Sequence, residues 1–197
     1  MTYSQAFTLD PGQKIYFKGT HTPSFCNPDI TQWGTVNDWF GLSELSNTAK
    51  VKVCGSLMSL VYDGDGDCFE VALFEPQHVF CTFGGAFSGI RAELDVSELI
   101  LSPFLAPNYY FKTFRDCTNL VGLHKGFLPA TVMAANCYYE MFSGCSNIEE
   151  IPQGFMDAKI INFYECLSAM FRNCSKLKKI YVDFNSWGVT DSATEVT

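Results

Sequence analysis

The chain has 197 residues, of which 47% are apolar, and its formal net charge is −8 at pH 7. This length fits one domain, or one small domain fused to a short repeat array. The negative charge argues against electrostatic binding of nucleic acid or anionic lipid. The sequence shows no signal peptide and no apolar run long enough to span a bilayer, so we expect no membrane insertion.

The N-terminal part of the chain, residues 1–82, predicts a β-rich region. The Asp-Pro-Gly turn at residues 10–12 lies between two strand-like runs, which indicates a hairpin over residues 7–18. Apolar and polar residues alternate with period two over residues 50–54, as is typical of a strand. We expect a further strand over residues 57–62.

Asp63, Asp65 and Asp67 alternate with glycine and are the candidate metal site of the sequence. Carboxylate oxygens are suitable ligands for Ca²⁺, but an EF-hand loop needs Gly at its sixth position and Glu at its twelfth. Those positions are Cys68 and Phe74, so an EF-hand is excluded. A solvated Asp/Gly turn is the favoured interpretation, and weak Ca²⁺ binding is the alternative. We expect no other metal and no cofactor.

The second half of the chain carries a repeat with the pattern F-x-x-C-[ST]-x-[LI]-x-x-[LI]. Its cysteine recurs at positions 117, 145 and 174, and self-similarity at such a fixed period indicates a solenoid, in which each unit buries its apolar face on its neighbours. Apolar residues spaced by three are typical of a short helix or 3₁₀ turn, and an extended segment is expected to follow. The predicted core positions are Phe114, Cys117, Leu120, Phe142, Cys145, Ile148, Phe171, Cys174 and Leu177.

The ends of the array are less regular than its middle. Phe87 precedes Phe114 by slightly less than one repeat and indicates an irregular first unit. We therefore divide the chain into three parts, since terminal repeats are usually atypical caps. These are a β-rich N-terminal cap at residues 1–82, a repeat array at residues 83–182, and a C-terminal cap and tail at residues 183–197.

The nine cysteines do not predict a zinc site, because no C-x-x-C pair occurs and the three histidines are scattered. Two repeat positions hold five of them, so we expect these to be small buried residues with reduced thiols. The five are Cys117, Cys145 and Cys174 at one position and Cys137 and Cys166 at the other. The redox state of four others stays open, namely that of Cys26, Cys54, Cys68 and Cys81.

Two tyrosine doublets are the candidate binding residues. Tyr109-Tyr110 and Tyr138-Tyr139 are interpreted as equivalent positions one repeat apart, with Cys166-Leu167 in the third unit. Core packing is the favoured interpretation. An outward-facing ring in each pair would instead suit a sugar or a protein.

The repeat resembles the BspA-like leucine-rich repeat of bacterial surface proteins and related phage proteins. Residues 127–145 are similar to its L-P-A-T and Y-x-M-F-x-x-C motifs, and residues 170–180 resemble its closing unit. Asp157 replaces the proline expected in the last return arm. The resemblance implies a leucine-rich-repeat fold and roles in adhesion or recognition, with no catalytic residues.

No catalytic triad, nucleotide-binding glycine motif or phosphate loop is visible, so we expect no enzyme. The expected fold is an α/β repeat: a short leucine-rich-repeat solenoid of parallel strands and short helices or 3₁₀ turns behind a β-rich cap. The expected function is adhesion at a bacterial cell surface, binding a protein or glycan through the array or residues 19–48. The alternative is a homo-oligomeric structural protein of a phage virion, such as a fibre, decoration or receptor-binding component.

Overall fold

The structure, a computed structural model, describes residues 10–16, 49–57, 83–105, 107–161 and 164–181. These residues contain five strands and no α-helix. The strands are β1 (Lys50–Ser56), β2 (Glu93–Ile100), β3 (Leu120–Val121), β4 (Glu150–Ile151) and β5 (Lys179–Ile180). Parallel pairing joins β1, β2 and β3 in that order into one sheet, and joins β4 to β5 in a second.

Strand β1 confirms the strand predicted from the alternation over residues 50–54 and extends it to Ser56. Val51 and Val53 pack against the core, while Lys50 and Lys52, which alternate with them, face outward. Lys50 forms an ion pair with Glu93 across the sheet at 3.1 Å. The strand is therefore held mainly by its apolar inner face, because an exposed ion pair of this kind contributes little to stability.

Strand β2 is the longest strand of the described residues, and the sequence interpretation missed it. Its inner face consists of Leu94 and Val96, both fully buried, and of Leu99. Asp95 lies between the first two and turns its carboxylate back to the backbone N–H of Ser97 at 2.9 Å. The period-two pattern of Leu94 and Val96 was the available signal.

The repeat motif forms four turn segments, at residues 83–90, 108–117, 136–145 and 165–174. Alternate N–H groups donate to the following segment: Lys112 to the carbonyl of Tyr139, and Phe114 to that of Met141, both at 2.9 Å. The N–H groups between them donate within the segment, as Arg115 does to the carbonyl of Lys112 at 3.1 Å. Backbone polar groups inside the stack thus find partners in their own turn or in the next segment.

A short helix or a 3₁₀ turn was expected at the repeat motif, and no α-helix forms there in the described residues. The i to i+3 hydrogen bonds of a 3₁₀ turn are present, but a left-handed residue interrupts them at every fourth position. Lys112 has φ of 56°, Asp116 59° and Glu140 49°. Left-handed φ values reverse the local course of the chain, so each segment is a ribbon of successive turns and not a helix.

Aromatic columns fill the space behind the turn segments. Phe87, Phe114, Phe142 and Phe171 stack with ring centroids 5.3, 5.6 and 5.7 Å apart and ring planes within 9° of parallel. A second column pairs Phe127 with Phe155 at 5.7 Å, and both rings lean against Phe142. Seven of the nine predicted core residues are buried, and Phe171 and Leu177 are half-buried.

The N-terminal predictions lie mostly outside the described residues. The turn at residues 10–12 is present, because Gln13 donates its N–H to the carbonyl of Asp10 at 3.0 Å. Residues 14–16 form no strand. Leu57 is buried, and the remainder of the strand expected there lies outside the described residues. So do residues 19–48, the carboxylates at 63–67 and the cap at 183–197.

Candidate recognition surface

The first cysteine column is part of the core. The thiols of Cys117, Cys145 and Cys174 lie 2.9, 3.0 and 3.1 Å from carbonyl oxygens of the preceding turn segment. Burial raises the pKa of Cys117 to about 12 and that of Cys174 to about 11, and it also raises the pKa of Cys145. These sulfurs are therefore protonated hydrogen-bond donors and poor nucleophiles near neutral pH.

The other described cysteines are also thiols outside any disulfide. Cys137 and Cys166 are buried, and burial raises the pKa of Cys137 to about 12. Cys54 is exposed on β1, and a hydrogen bond to the Glu98 side chain raises its pKa. Cys26, Cys68 and Cys81 lie outside the described residues.

The two tyrosine doublets are one residue out of register with each other, contrary to the sequence interpretation. Tyr110 stacks on Tyr138 with ring centroids 6.0 Å apart. Phe111, and not Tyr110, stacks on Tyr139 at 5.2 Å. Tyr109 is then equivalent to Cys137 in the next unit. The doublets therefore contribute to three columns.

Three of the four candidate tyrosines are core residues. Tyr109, Tyr110 and Tyr138 are buried, whereas Tyr139 is only half-buried. The Tyr110 hydroxyl accepts the backbone N–H of Ser102 at 2.8 Å, whereas that of Tyr138 has no hydrogen-bond partner in the described part of the chain. Burial raises the pKa of both phenols well above the usual value. Tyr139 is the member of the set that reaches the surface.

Glu140 is a central charged residue that sequence reasoning missed. Its side chain is 9% exposed, and cations from two other turn segments surround the carboxylate. Arg115 approaches Oε2 at 3.1 Å, Lys112 approaches the same oxygen at 3.5 Å, and Arg172 approaches Oε1 at 3.8 Å. The available signal was a pair of opposite charges one repeat apart, Lys112 and Glu140.

Aromatic and cationic groups meet at this carboxylate. The Lys112 ammonium lies 4.5 Å from the ring centroid of Phe111 and 5.7 Å from that of Tyr139. Such contacts hold a cation against the negative face of a ring. The turn side of the molecule therefore presents an aromatic pair edged with charge.

The strand side presents a different surface, in which charges pair along the columns. Glu149 and Lys178 are 3.0 Å apart, and Glu150 and Lys179 are 3.7 Å apart. The Lys178 ammonium lowers the pKa of Glu149. All four side chains are exposed, so each pair contributes little to stability. The two glutamates face outward.

The candidate metal carboxylates Asp63, Asp65 and Asp67 lie outside the described residues. Within the described ranges, no group of three histidine, cysteine, aspartate or glutamate side chains is arranged to hold a metal ion. None of the described residues forms a helix with the length and apolarity needed to cross a bilayer.

No known protein family, no curated protein and no solved structure matches this chain. The resemblance to leucine-rich repeats thus depends on the repeat residues themselves. Tyr139 on the turn side and Val121 on the strand side occupy outward positions.

Proposed function

We propose that the four turn segments belong to a short leucine-rich-repeat solenoid of the BspA-like kind, and that the chain is a non-enzymatic recognition module. The observation that carries this proposal is regular hydrogen bonding between successive segments. Phe87 donates to Thr113, Lys112 to Tyr139, and Glu140 to Ser168, at 2.9 to 3.0 Å. In each case the donor and the acceptor lie in neighbouring units of the repeat.

A comparison of residue identities at equivalent positions of the repeat units supports a recognition role. Two core columns keep their residue over the last three units, namely the phenylalanine column and the cysteine column. Outward positions differ: Phe111 and Tyr139 correspond to Ser168 in the last unit. A scaffold keeps its core side chains and varies the exposed ones, which is how a repeat protein creates a specific surface.

The environment of the thiols supports a structural role for them. Cys117 and Cys145 are fully buried and donate to backbone carbonyls. Catalytic cysteines need a lowered pKa and access to substrate, and these two have a raised pKa and no exposure. The proposal therefore assigns the five column cysteines to folding and the outward residues to binding.

A surface plasmon resonance screen against purified glycans and extracellular proteins tests this function. Two variants exchange outward residues between units: Tyr139→Ser on the turn side, and Val121→Lys on the strand side. We expect saturable binding that one of the two exchanges weakens, with both variants still folded at the temperature of the assay. Failure to bind either panel, or chemical conversion of a bound probe, would contradict a non-enzymatic recognition module.

A structural protein of a phage virion is the second candidate. The observation in its favour is that all six described cysteines are thiols, as suits synthesis and use without an oxidising compartment. Light scattering separates the two candidates, because we expect a structural component of a virion to assemble as a homo-oligomer. A stable trimer favours the virion role, and a monomer at micromolar concentration counts against it.

A further inference from the structure

Two exposed arginines occupy equivalent positions of the repeat on the turn side. Arg115 lies in the second turn segment and Arg172 in the fourth, with side chains 42% and 65% exposed. The segment at residues 136–145 lies between them, because it accepts the N–H of Asp116 at 2.7 Å and donates an N–H to the carbonyl of Arg172 at 2.8 Å. Chains joined by such bonds run about 4.8 Å apart, so the backbones of the two arginines are roughly 10 Å apart.

One buried carboxylate in the middle segment joins the two guanidinium groups. Glu140 places Oε2 at 3.1 Å from Arg115 and Oε1 at 3.8 Å from Arg172. The ammonium of Lys112 lies 3.5 Å from the same Oε2. Since all three cations lie within 4 Å of one carboxylate, they form a single cluster. Glu140 is 9% exposed, so the cations and not the carboxylate face the solvent.

The cluster carries more positive than negative charge. Its cations are Lys112, Arg115 and Arg172, and its carboxylates are Glu140 and Asp116, which lies 3.4 Å from Arg115. Three positive and two negative groups give a local net charge of +1, on a chain whose formal net charge is −8. Neither guanidinium forms a hydrogen bond with a described residue. Each therefore keeps its planar fork of N–H donors, which matches the oxygens of a carboxylate or a sulfate.

The surroundings of the cluster favour a sugar over a peptide. The Lys112 ammonium lies 4.5 Å from the ring centroid of Phe111 and 5.7 Å from that of Tyr139, so cations and half-buried rings form one surface. Sugar rings have apolar C–H faces that suit such rings. Peptide recognition usually needs a free sheet edge or an apolar groove. Here alternate backbone N–H groups already donate to the next segment.

We propose that Arg115 and Arg172, held by Glu140, bind the anionic groups of a linear acidic polysaccharide, while Tyr139 packs against a sugar ring. Uronate carboxylates and sulfate esters share the oxyanion chemistry that guanidinium groups bind through charge-assisted hydrogen bonds. Such a polymer repeats its charge along its length, as the stack repeats its arginine. The negative charge elsewhere on the chain restricts binding to a short stretch of the polymer. This site rests on the proposed recognition function and names the partner class for it.

Isothermal titration calorimetry tests the site with four hexamers: a galacturonate, a heparin fragment, neutral maltohexaose and a glutamate peptide. Arg172→Gln is the test variant. Lys178→Gln is the matched control, because it also removes an exposed cation that faces a carboxylate, but on the strand side. We expect an acidic hexasaccharide to bind at least about tenfold more tightly than maltohexaose, and Arg172→Gln to weaken it about tenfold. Lys178→Gln should bind like the parent chain, and Arg172→Lys, which lacks the planar fork, should be intermediate.

The outcomes separate this site from the broader function. Equal affinity of Arg172→Gln and Lys178→Gln for a bound acidic hexasaccharide overturns the site. Equal affinity of the parent chain for maltohexaose and the acidic sugars overturns the anionic class. Binding of the glutamate peptide and of no sugar overturns the glycan and leaves the recognition function standing. Binding of none of the four overturns the site, and the wider screen of glycans and proteins then decides the recognition function by itself.

Discussion

Phe142 is the residue on which the aromatic stack most depends. Its ring is fully buried, and its centroid lies 5.6 Å from that of Phe114 in the preceding unit and 5.7 Å from that of Phe171 in the following unit. Phe127 and Phe155 contact it from the side, at 6.2 and 5.8 Å. Replacing it with alanine removes a buried side chain and leaves a cavity, which costs about 3 to 5 kcal/mol. That is a large share of the roughly 5 to 15 kcal/mol by which domains are stable.

Phe171→Ala is the matched control. Phe171 is the last described ring of the same column, and it is only half-buried. We expect it to cost about half as much or less, since roughly that fraction of apolar area is lost. Urea unfolding followed by circular dichroism measures both values. Equal costs for the two variants, or a cost for Phe142→Ala below about 1 kcal/mol, would refute the stacked core.

Three further predictions concern single groups. Tyr110→Phe should lower the free energy of unfolding by about 1 to 3 kcal/mol, because the buried N–H of Ser102 loses its hydrogen-bond acceptor. Tyr138→Phe should be neutral or stabilising, because the Tyr138 hydroxyl has no partner in the described residues. Urea unfolding midpoints measure both effects. Gly122→Ala should destabilise more than Gly126→Ala: both have positive φ, but only at Gly122 would a Cβ lie 2.5 Å from other atoms. An equal loss would contradict the packing. The raised pKa of Cys117 makes the unfolded state release its proton first, so stability should fall as pH rises from about 9 to 12. Cys117 alone contributes at most about 1.4 kcal/mol per pH unit to this fall, and the other buried thiols add to it. A urea midpoint that stays constant over this range would contradict burial.

The buried columns were the predictable part of this fold. Phe142 and Cys145 recur one unit before and one unit after, and identical spacing of apolar residues leaves few other arrangements. Strand β1 was equally predictable from the sequence, because Val51 and Val53 alternate with lysines. In both cases a local pattern reports directly which side chains face inward.

The conformation of the turn segments was not predictable from the same pattern. Apolar residues at every third position suit a helical face, but they also suit a ribbon of turns with a left-handed residue at every fourth position. Lys112, Glu140 and Ala169 adopt that conformation, although none is a glycine or asparagine. Hydrogen bonds to neighbouring segments outweigh the local preference, and such bonds are invisible in one unit of sequence.

The candidate site was predictable only in part. Adjacent tyrosines permit two alignments, and the structure selects the one in which Tyr110 meets Tyr138 and Phe111 meets Tyr139. The surroundings of Glu140 come from three segments, so no single stretch of sequence contains them. Identifying such a cluster requires the stacking register first.

The hydrogen-bond ladder between turn segments is the basis of both proposals, and NMR scalar couplings across hydrogen bonds measure it directly. We predict couplings from the amide nitrogen of Lys112 to the carbonyl carbon of Tyr139, and from that of Glu140 to Ser168. Couplings from these amides to the i−4 carbonyls of their own segments would indicate helices and contradict the account. So would an absence of couplings between residues one repeat apart.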